Sequence, residues 1–187
     1  IQLAHAGRKA STYRGFEAHQ SGSVPLEDGG WETIAPSAIA FPGLATPREA
    51  SLEDIAQVVG AFAAAARRAN AAGFDAVELH AAHGYLLFEF LSPLSNHRTD
   101  GYGGDLAGRS RLLLEVTDAV RAAWPAEKPL LVRISATEWT EGGFSVEEAA
   151  VRLILGLFPP TGLMLFHKAS RNSFKSLVVN IFDVVFV

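Results

Sequence analysis

FDAVELHAAHGY, residues 74–85, alternates strictly through its centre: Ala76, Glu78 and His80 share one parity, Val77, Leu79 and Ala81 the other. A strand sandwiched between two apolar layers would be apolar on both parities. Here one face is polar, and it becomes reactive towards its C-terminal end, where His80, His83 and Tyr85 cluster. In α/β proteins that end of a parallel strand is where ligands bind.

Upstream, Ser51 opens a helix and pairs with Asp54 in the manner of a capping box. Ile55, Val58, Val59, Phe62, Ala66 and Ala69 follow at helical spacing, and Gly73 closes the helix. Before it, residues 11–50 are rich in Gly, Pro and Ser and hold no sustained period, which reads as a long excursion between strand and helix. Trp31 and Phe41 are expected to pack that excursion down. The chain begins in IQLAH, a second alternating run with Ile1 and Leu3 on one side and Gln2 and Ala4 on the other; GRKAS then turns at Gly7.

Downstream, LLFEFL (residues 86–91) reads as a helical turn serving packing. In residues 95–109 the glycines follow that turn rather than a strand, so they predict a structural loop and not a phosphate cradle. Ser110–Trp124 predicts a second amphipathic helix, striped by Leu112, Leu113, Val116, Ala119, Val120 and Ala123. Pro129–Ser135 is a third strand, with Leu131, Arg133 and Ser135 on one face, and Ser145 with Glu148 forms a capping box for a third helix. From about Gly156 the rhythm stops. Residues 156–187 read as a tail of a different character, disordered or frameshifted, ending in a short β-prone run.

Bulk properties narrow the classes. The chain has 187 residues, 49% of them hydrophobic, and a net charge of −4, enough for a core and usually one domain. Mild acidity without a Lys/Arg cluster argues against nucleic acid and anionic membranes as partners. Without cysteine there is no disulfide framework or thiolate metal site, and a reducing, cytoplasmic setting is the expectation. No apolar run approaches the roughly 18 residues of a membrane span. Residue one is Ile, already inside a strand-like run, so the chain is expected to be a fragment.

Three strands separated by helices imply parallel pairing, in either a doubly wound sheet or a (β/α)8 barrel. Ile1/Leu3, Val77/Leu79 and Val132/Ile134 supply one apolar face; Gln2, Glu78, His80 and Arg133 supply the other. Each unpaired buried polar group costs about 1–3 kcal/mol, so four of them on one face favour a barrel whose lumen serves a ligand. A full barrel needs about 250 residues, so residues 1–155 are expected to supply part of one.

QLAHAGR, VELHAAHGYLLFEFLSPLSNHRTDGYGGDLAGRSR and VRISATEWTEGG, in that order, resemble the Old Yellow Enzyme family of FMN-dependent oxidoreductases, in particular its bacterial-type ene-reductases and NADH:flavin oxidoreductases. The resemblance covers roughly residues 1–150. It implies an FMN-binding (β/α)8 barrel of which this chain holds about strands three to five. NAD(P)H would be the reductant and an α,β-unsaturated carbonyl or nitro compound the oxidant, with a homo-oligomer compatible with the full-length protein. By the same resemblance Gln2 matches the glutamine at the pyrimidine edge of the flavin, and Arg133 the arginine beside N1 and C2=O. His80 and His83 match the pair that holds the substrate oxygen, and Tyr85 the tyrosine that can protonate the α-carbon. Gly108 stands where the family usually has Asn, which predicts a looser loop.

Taken without that resemblance, the same residues have other readings. Gln2 reads as a core amide, and Glu78 as a structural partner of Arg133 or of a loop amide. His80 and His83 are candidate metal ligands, with His5 a recruitable third. Yet H-x-x-H lacks the helical i, i+4 spacing of a zinc motif. His5 is read as the anchor of its turn, and His19, His97 and His167 as surface residues. The rival functions are a metal-dependent hydrolase on the same barrel and a truncated product without activity.

Overall fold

The computed structural model describes residues 1–14 and 21–149, together with the strand pairs 165–166 and 184–185. Its centre is a parallel sheet of β1 (Gln2–Leu3), β4 (Val77–Ala81) and β5 (Leu130–Ile134), with β4 in the middle. A second, two-stranded parallel sheet, β2 (Ile34–Ala35) with β3 (Arg48–Glu49), lies inside the long excursion. Parallel neighbours require a crossover, and α1 (Leu52–Ala71) and α3 (Leu106–Ala123) provide the two that this sheet needs.

The apolar parity faces the helices. Leu3, Val77, Leu79, Val132 and Ile134 are buried in one cluster with Ile55, Val58, Phe62 and Ala66 of α1 and Leu112, Leu113, Val116 and Val120 of α3. Each such side chain contributes roughly 1.5–3 kcal/mol when fully buried, so the sheet–helix contact dominates local stability. Trp124, just past α3, closes the cluster at its far end.

Local signals set the helix ends. Ser51 Oγ accepts the Asp54 N–H at 3.1 Å, while the Asp54 carboxylate accepts the Ser51 N–H at 2.7 Å. Arg48 adds a two-pronged bridge to Asp54 at 2.7 and 3.1 Å, joining β3 to the helix start. Gly73, at φ +87°, turns the chain out of α1. The second capping box is also formed: Ser145 and Glu148 exchange bonds of 3.3 and 3.2 Å at the start of α4 (Val146–Glu148).

α3 begins a full turn before the sequence stripe does. Asp105 is its N-cap and accepts the Gly108 N–H at 2.9 Å. Gly108 therefore belongs to the first helical turn, not to a loose loop. A Cβ at Gly108 would lie 2.1 Å from the Gly103 carbonyl oxygen, so close packing holds this turn tight. Arg109 fixes the same region, reaching the Leu91 carbonyl and bridging to Glu148 at 2.6 Å.

One further expectation needs correction. Trp31 is 60% exposed and does not pack the excursion down, whereas half-buried Phe41 does, lying under the Lys9 ammonium at 4.3 Å. At the β5 edge the neighbour is antiparallel: β7 (Val184–Val185) places Val185 opposite Leu131, and β6 (Leu165–Phe166) pairs antiparallel with β7. A barrel strand at that edge would be parallel. Apart from these two strand pairs, the expected tail of residues 156–187 lies outside the described residues, as do His19 and His167. His97 is exposed, as read.

Candidate functional site

The polar parity gathers at one end of the parallel sheet. In parallel register Gln2 stands opposite Glu78, and His80 opposite Arg133. Paired residues share a face, so these four side chains leave the same side of the sheet. They do so at two levels: Gln2 and Glu78 form the lower, and His80 and Arg133 the upper, one pleat nearer the strand ends.

At the lower level the Gln2 carboxamide nitrogen donates to Glu78 Oε1. Glu78 thus partners Gln2, a pairing the sequence reading had not named. The bond fixes the amide's orientation: with its nitrogen directed at Glu78, the acceptor left on Gln2 is its oxygen.

At the upper level three rings meet. His83 Nδ1 lies 3.3 Å from His80 Nε2, a contact whose donor and acceptor depend on the tautomers. The two imidazoles meet edge to face with centroids 5.0 Å apart, and the Tyr85 ring meets His80 in the same manner, also at 5.0 Å. β4 places His80, the turn after it places His83 at φ +57°, and Tyr85 is the N-cap of α2 (Leu86–Leu91). His80 is buried, Tyr85 half-buried and His83 exposed, so the cluster grades from core to solvent.

Burial and positive neighbours keep both histidines neutral at pH 7. His80 is lowered to about 4 by burial, then by His83 and Arg133. His83 is lowered by burial, then by Arg133 and Lys9. A neutral imidazole offers one N–H donor and one acceptor nitrogen. His80 Nδ1 is buried and makes no hydrogen bond within the protein. Two neutral rings beside a guanidinium form a donor-rich mouth suited to an electron-rich oxygen and an anionic ring edge.

The turn after β1 forms one wall. His5 Nδ1 accepts the Gly7 N–H at 3.0 Å, as expected of a turn anchor, and burial lowers its pKa. Gly7–Lys9 is a single 3-10 turn, and the Arg8 N–H donates to the carboxyl of Glu89 at 3.0 Å. Glu89 is fully buried within α2, and burial raises its pKa to about 8, against the opposing pull of the Arg8 N–H and of the Arg8 and Lys9 charges. The turn delivers Lys9, whose ammonium donates to the His83 carbonyl at 2.7 Å and sits 5.5 Å from the Tyr85 ring centre. Burial, then Arg8, lowers the Lys9 pKa.

Lys9, Glu89 and Ser135 were missed as parts of this mouth. Glu89 had a signal, a lone carboxylate inside LLFEFL. Ser135 shared the parity of Arg133, and in the structure its hydroxyl accepts the His83 N–H at 2.9 Å. Lys9 carried no signal, because only the 3-10 turn aims it. Among the described residues, no group of three or more His, Cys, Asp or Glu side chains is placed to hold a metal ion. Nor, among them, is any helix long and apolar enough to cross a membrane.

Comparison with known proteins matches this geometry to one family. The model of the NADH:flavin oxidoreductase / NADH oxidase family matches residues 1–156. The NADPH dehydrogenase of Clostridium acetobutylicum is 47% identical over 155 residues, 82% of this chain and 41% of its own length. That of Bacillus subtilis is 49% identical over 149 residues, 79% of this chain and 38% of its own. Among solved structures, the old yellow enzyme homologue from Zymomonas mobilis superposes with a TM-score of 0.64 at 34% identity, covering 83% of this chain and 42% of that one. Morphinone reductase gives a TM-score of 0.64 at 32% identity, over 80% of this chain and 41% of its own. These likenesses show a partial, barrel-type α/β fold. The chain spans about two fifths of the length of the relatives it matches.

Proposed function

The chain belongs to the NADH:flavin oxidoreductase / NADH oxidase family, and we propose that it carries the catalytic portion of an FMN-dependent NAD(P)H oxidoreductase that reduces activated C=C bonds. One observation carries the reading. His80, opposite Arg133 in the register, meets His83 at 3.3 Å and Tyr85 at 5.0 Å between ring centres, all at the C-terminal end of the parallel strands. On this reading β1, β4 and β5 are the third to fifth strands of the barrel, within residues 1–155.

The residues present suit an isoalloxazine ring. Gln2, turned by Glu78, offers its amide oxygen to the ring N–H of a pyrimidine edge. Arg133 supplies fixed positive charge for the edge that becomes anionic on reduction. FMN held there would supply hydride transfer from NAD(P)H to the β-carbon of an α,β-unsaturated carbonyl or nitro compound.

The chain's own residues do the remaining work. His80 and His83, neutral at pH 7, donate to the carbonyl or nitro oxygen and so draw electron density away from the β-carbon. Their burial-lowered pKa values keep that polarisation from becoming outright proton transfer. On this reading Tyr85 is the general acid that gives a proton to the α-carbon. Lys9 holds the His83 carbonyl and closes the mouth on the β1 side.

The test is spectroscopic. A version extended to the length of its relatives should bind FMN, turn yellow, and show a long-wavelength charge-transfer band with phenols. A folded but colourless protein, unable to take up FMN, would overturn the proposal.

A further inference from the structure

His83 adopts φ +57°, a left-handed conformation in which the side chain of a non-glycine residue crowds its own backbone. Such a conformation persists where surrounding contacts hold it, and it gathers at functional sites. Gly84 continues the turn at φ +67°. Both polar groups of the His83 residue are engaged by distant parts of the chain. Its N–H donates to Ser135 Oγ at 2.9 Å, and its carbonyl accepts from Lys9 Nζ at 2.7 Å. Ser135 immediately follows β5 and lies two residues beyond Arg133, so it shares the face that carries the guanidinium.

We infer that Ser135 is a positioning residue: its hydroxyl holds the His83 backbone in the left-handed turn that brings the His83 imidazole against His80. This rests on the reading of the two histidines as donors to one substrate oxygen. His83 is exposed. Without the hydroxyl, its N–H has water as an alternative partner, and the bond from the β5 side that opposes relaxation to an ordinary negative φ is gone. The Lys9 bond alone pins the carbonyl end and leaves rotation about N–Cα open. Relaxation would carry the imidazole away from His80 Nε2, and away from the charges on Arg133 and Lys9 that help to lower its pKa.

The experiment uses the 187-residue chain with 15N-labelled histidines. Imidazole titrations of His80 and His83 and hydrogen exchange at the His83 amide are followed by NMR in the wild type, Ser135→Ala and Ser135→Thr. The wild type should show a protected His83 amide despite its exposed position, and both rings titrating below the ordinary histidine range. Ser135→Ala should free the amide and move the His83 titration up to that range; Ser135→Thr, which keeps the hydroxyl, should restore both. A Ser135→Ala protein titrating and exchanging like the wild type would overturn the proposal. So would an unprotected His83 amide in the wild type, a result that needs no variant to fold. In an FMN-loaded protein of full relative length, Ser135→Ala should weaken phenol binding about tenfold and leave FMN affinity alone. If that wild type binds neither flavin nor phenol, the functional reading fails, while the NMR result still decides the role of Ser135.

Discussion

His80 and Arg133 are direct partners in the register between β4 and β5, so an imidazole and a guanidinium leave the sheet side by side at the same level. That pairing has an electrostatic consequence. Desolvation and the neighbouring positive charge act in the same direction on His80, bringing its pKa to about 4. The site presents a neutral donor next to a permanent cation, so polarisation and charge stabilisation fall to two different groups.

Replacing Arg133 by Met should therefore raise the His80 pKa. Burial is its largest cause and stays in place, so the value should climb without reaching the ordinary 6.5. An NMR titration of the His80 ring reads this directly. An unmoved His80 titration would mean that the guanidinium is screened from the ring and that burial alone sets its charge.

Glu89 gives the opposite linkage. Its pKa is about 8 in the folded protein against an ordinary 4.5, so between those values the folded chain binds a proton that the unfolded chain has released. Stability contributed by this group is full below about pH 4.5 and is lost as pH rises towards 8. His80 acts the other way from about pH 4 to 6.5, where the unfolded chain binds the extra proton and rising pH stabilises. The two partly cancel in the wild type. Glu89→Gln should remove one side, and its advantage over the wild type should grow from pH 4.5 to 8 by an amount of order 3 kcal/mol. Urea midpoints at pH 4.5, 6 and 8 measure it; a gap constant across that range would mean that the folded protein already holds Glu89 ionised.

β4 was legible because its two parities differ in chemistry, and α1 because Ser51, Asp54 and Gly73 mark its ends through local bonds. The face shared by Gln2, Glu78, His80 and Arg133 was legible for the same period-two reason. What could not be read depends on side chains that meet across long sequence separations. The Gln2–Glu78 bond could not be read because it depends on register, which parity alone does not set. The start of α3 was hidden because its cap, Asp105, stands among glycines that resemble an open loop. Trp31 looked like a packing residue by type alone, yet it is 60% exposed. The antiparallel neighbour of β5 falls after Gly156, where the strand–helix rhythm had already stopped in the sequence.

At Gly108 the family resemblance suggests Asn, yet a Cβ would meet the Gly103 carbonyl oxygen at 2.1 Å, far inside contact distance. Gly108→Asn, the substitution towards the family, should therefore destabilise this chain by about 1–3 kcal/mol through overpacking. Thermal unfolding should show a lower Tm, with Gly108→Ala affected in the same direction. A neutral Asn variant would show that the Gly103–Gly104 turn yields freely.

His80→Ala and His83→Ala should separate stability from binding. His80 is buried between Tyr85 and His83, so truncating it leaves a cavity and should lower stability; His83 is exposed, and its truncation should leave stability nearly unchanged. In binding the two should look alike. Each loses one donor to a phenolate oxygen, a charge-assisted bond worth roughly 1.5–3 kcal/mol, or about 10- to 150-fold in affinity for FMN-loaded protein. The rings touch at 3.3 Å and would serve the same oxygen, so the double variant should lose less than the two single losses added together. Phenol titrations followed by the charge-transfer band, with urea unfolding alongside, supply both axes. If either single variant binds phenol as tightly as the wild type, that imidazole is no donor to the bound oxygen. Strictly additive losses would mean that the rings address separate groups on the ligand.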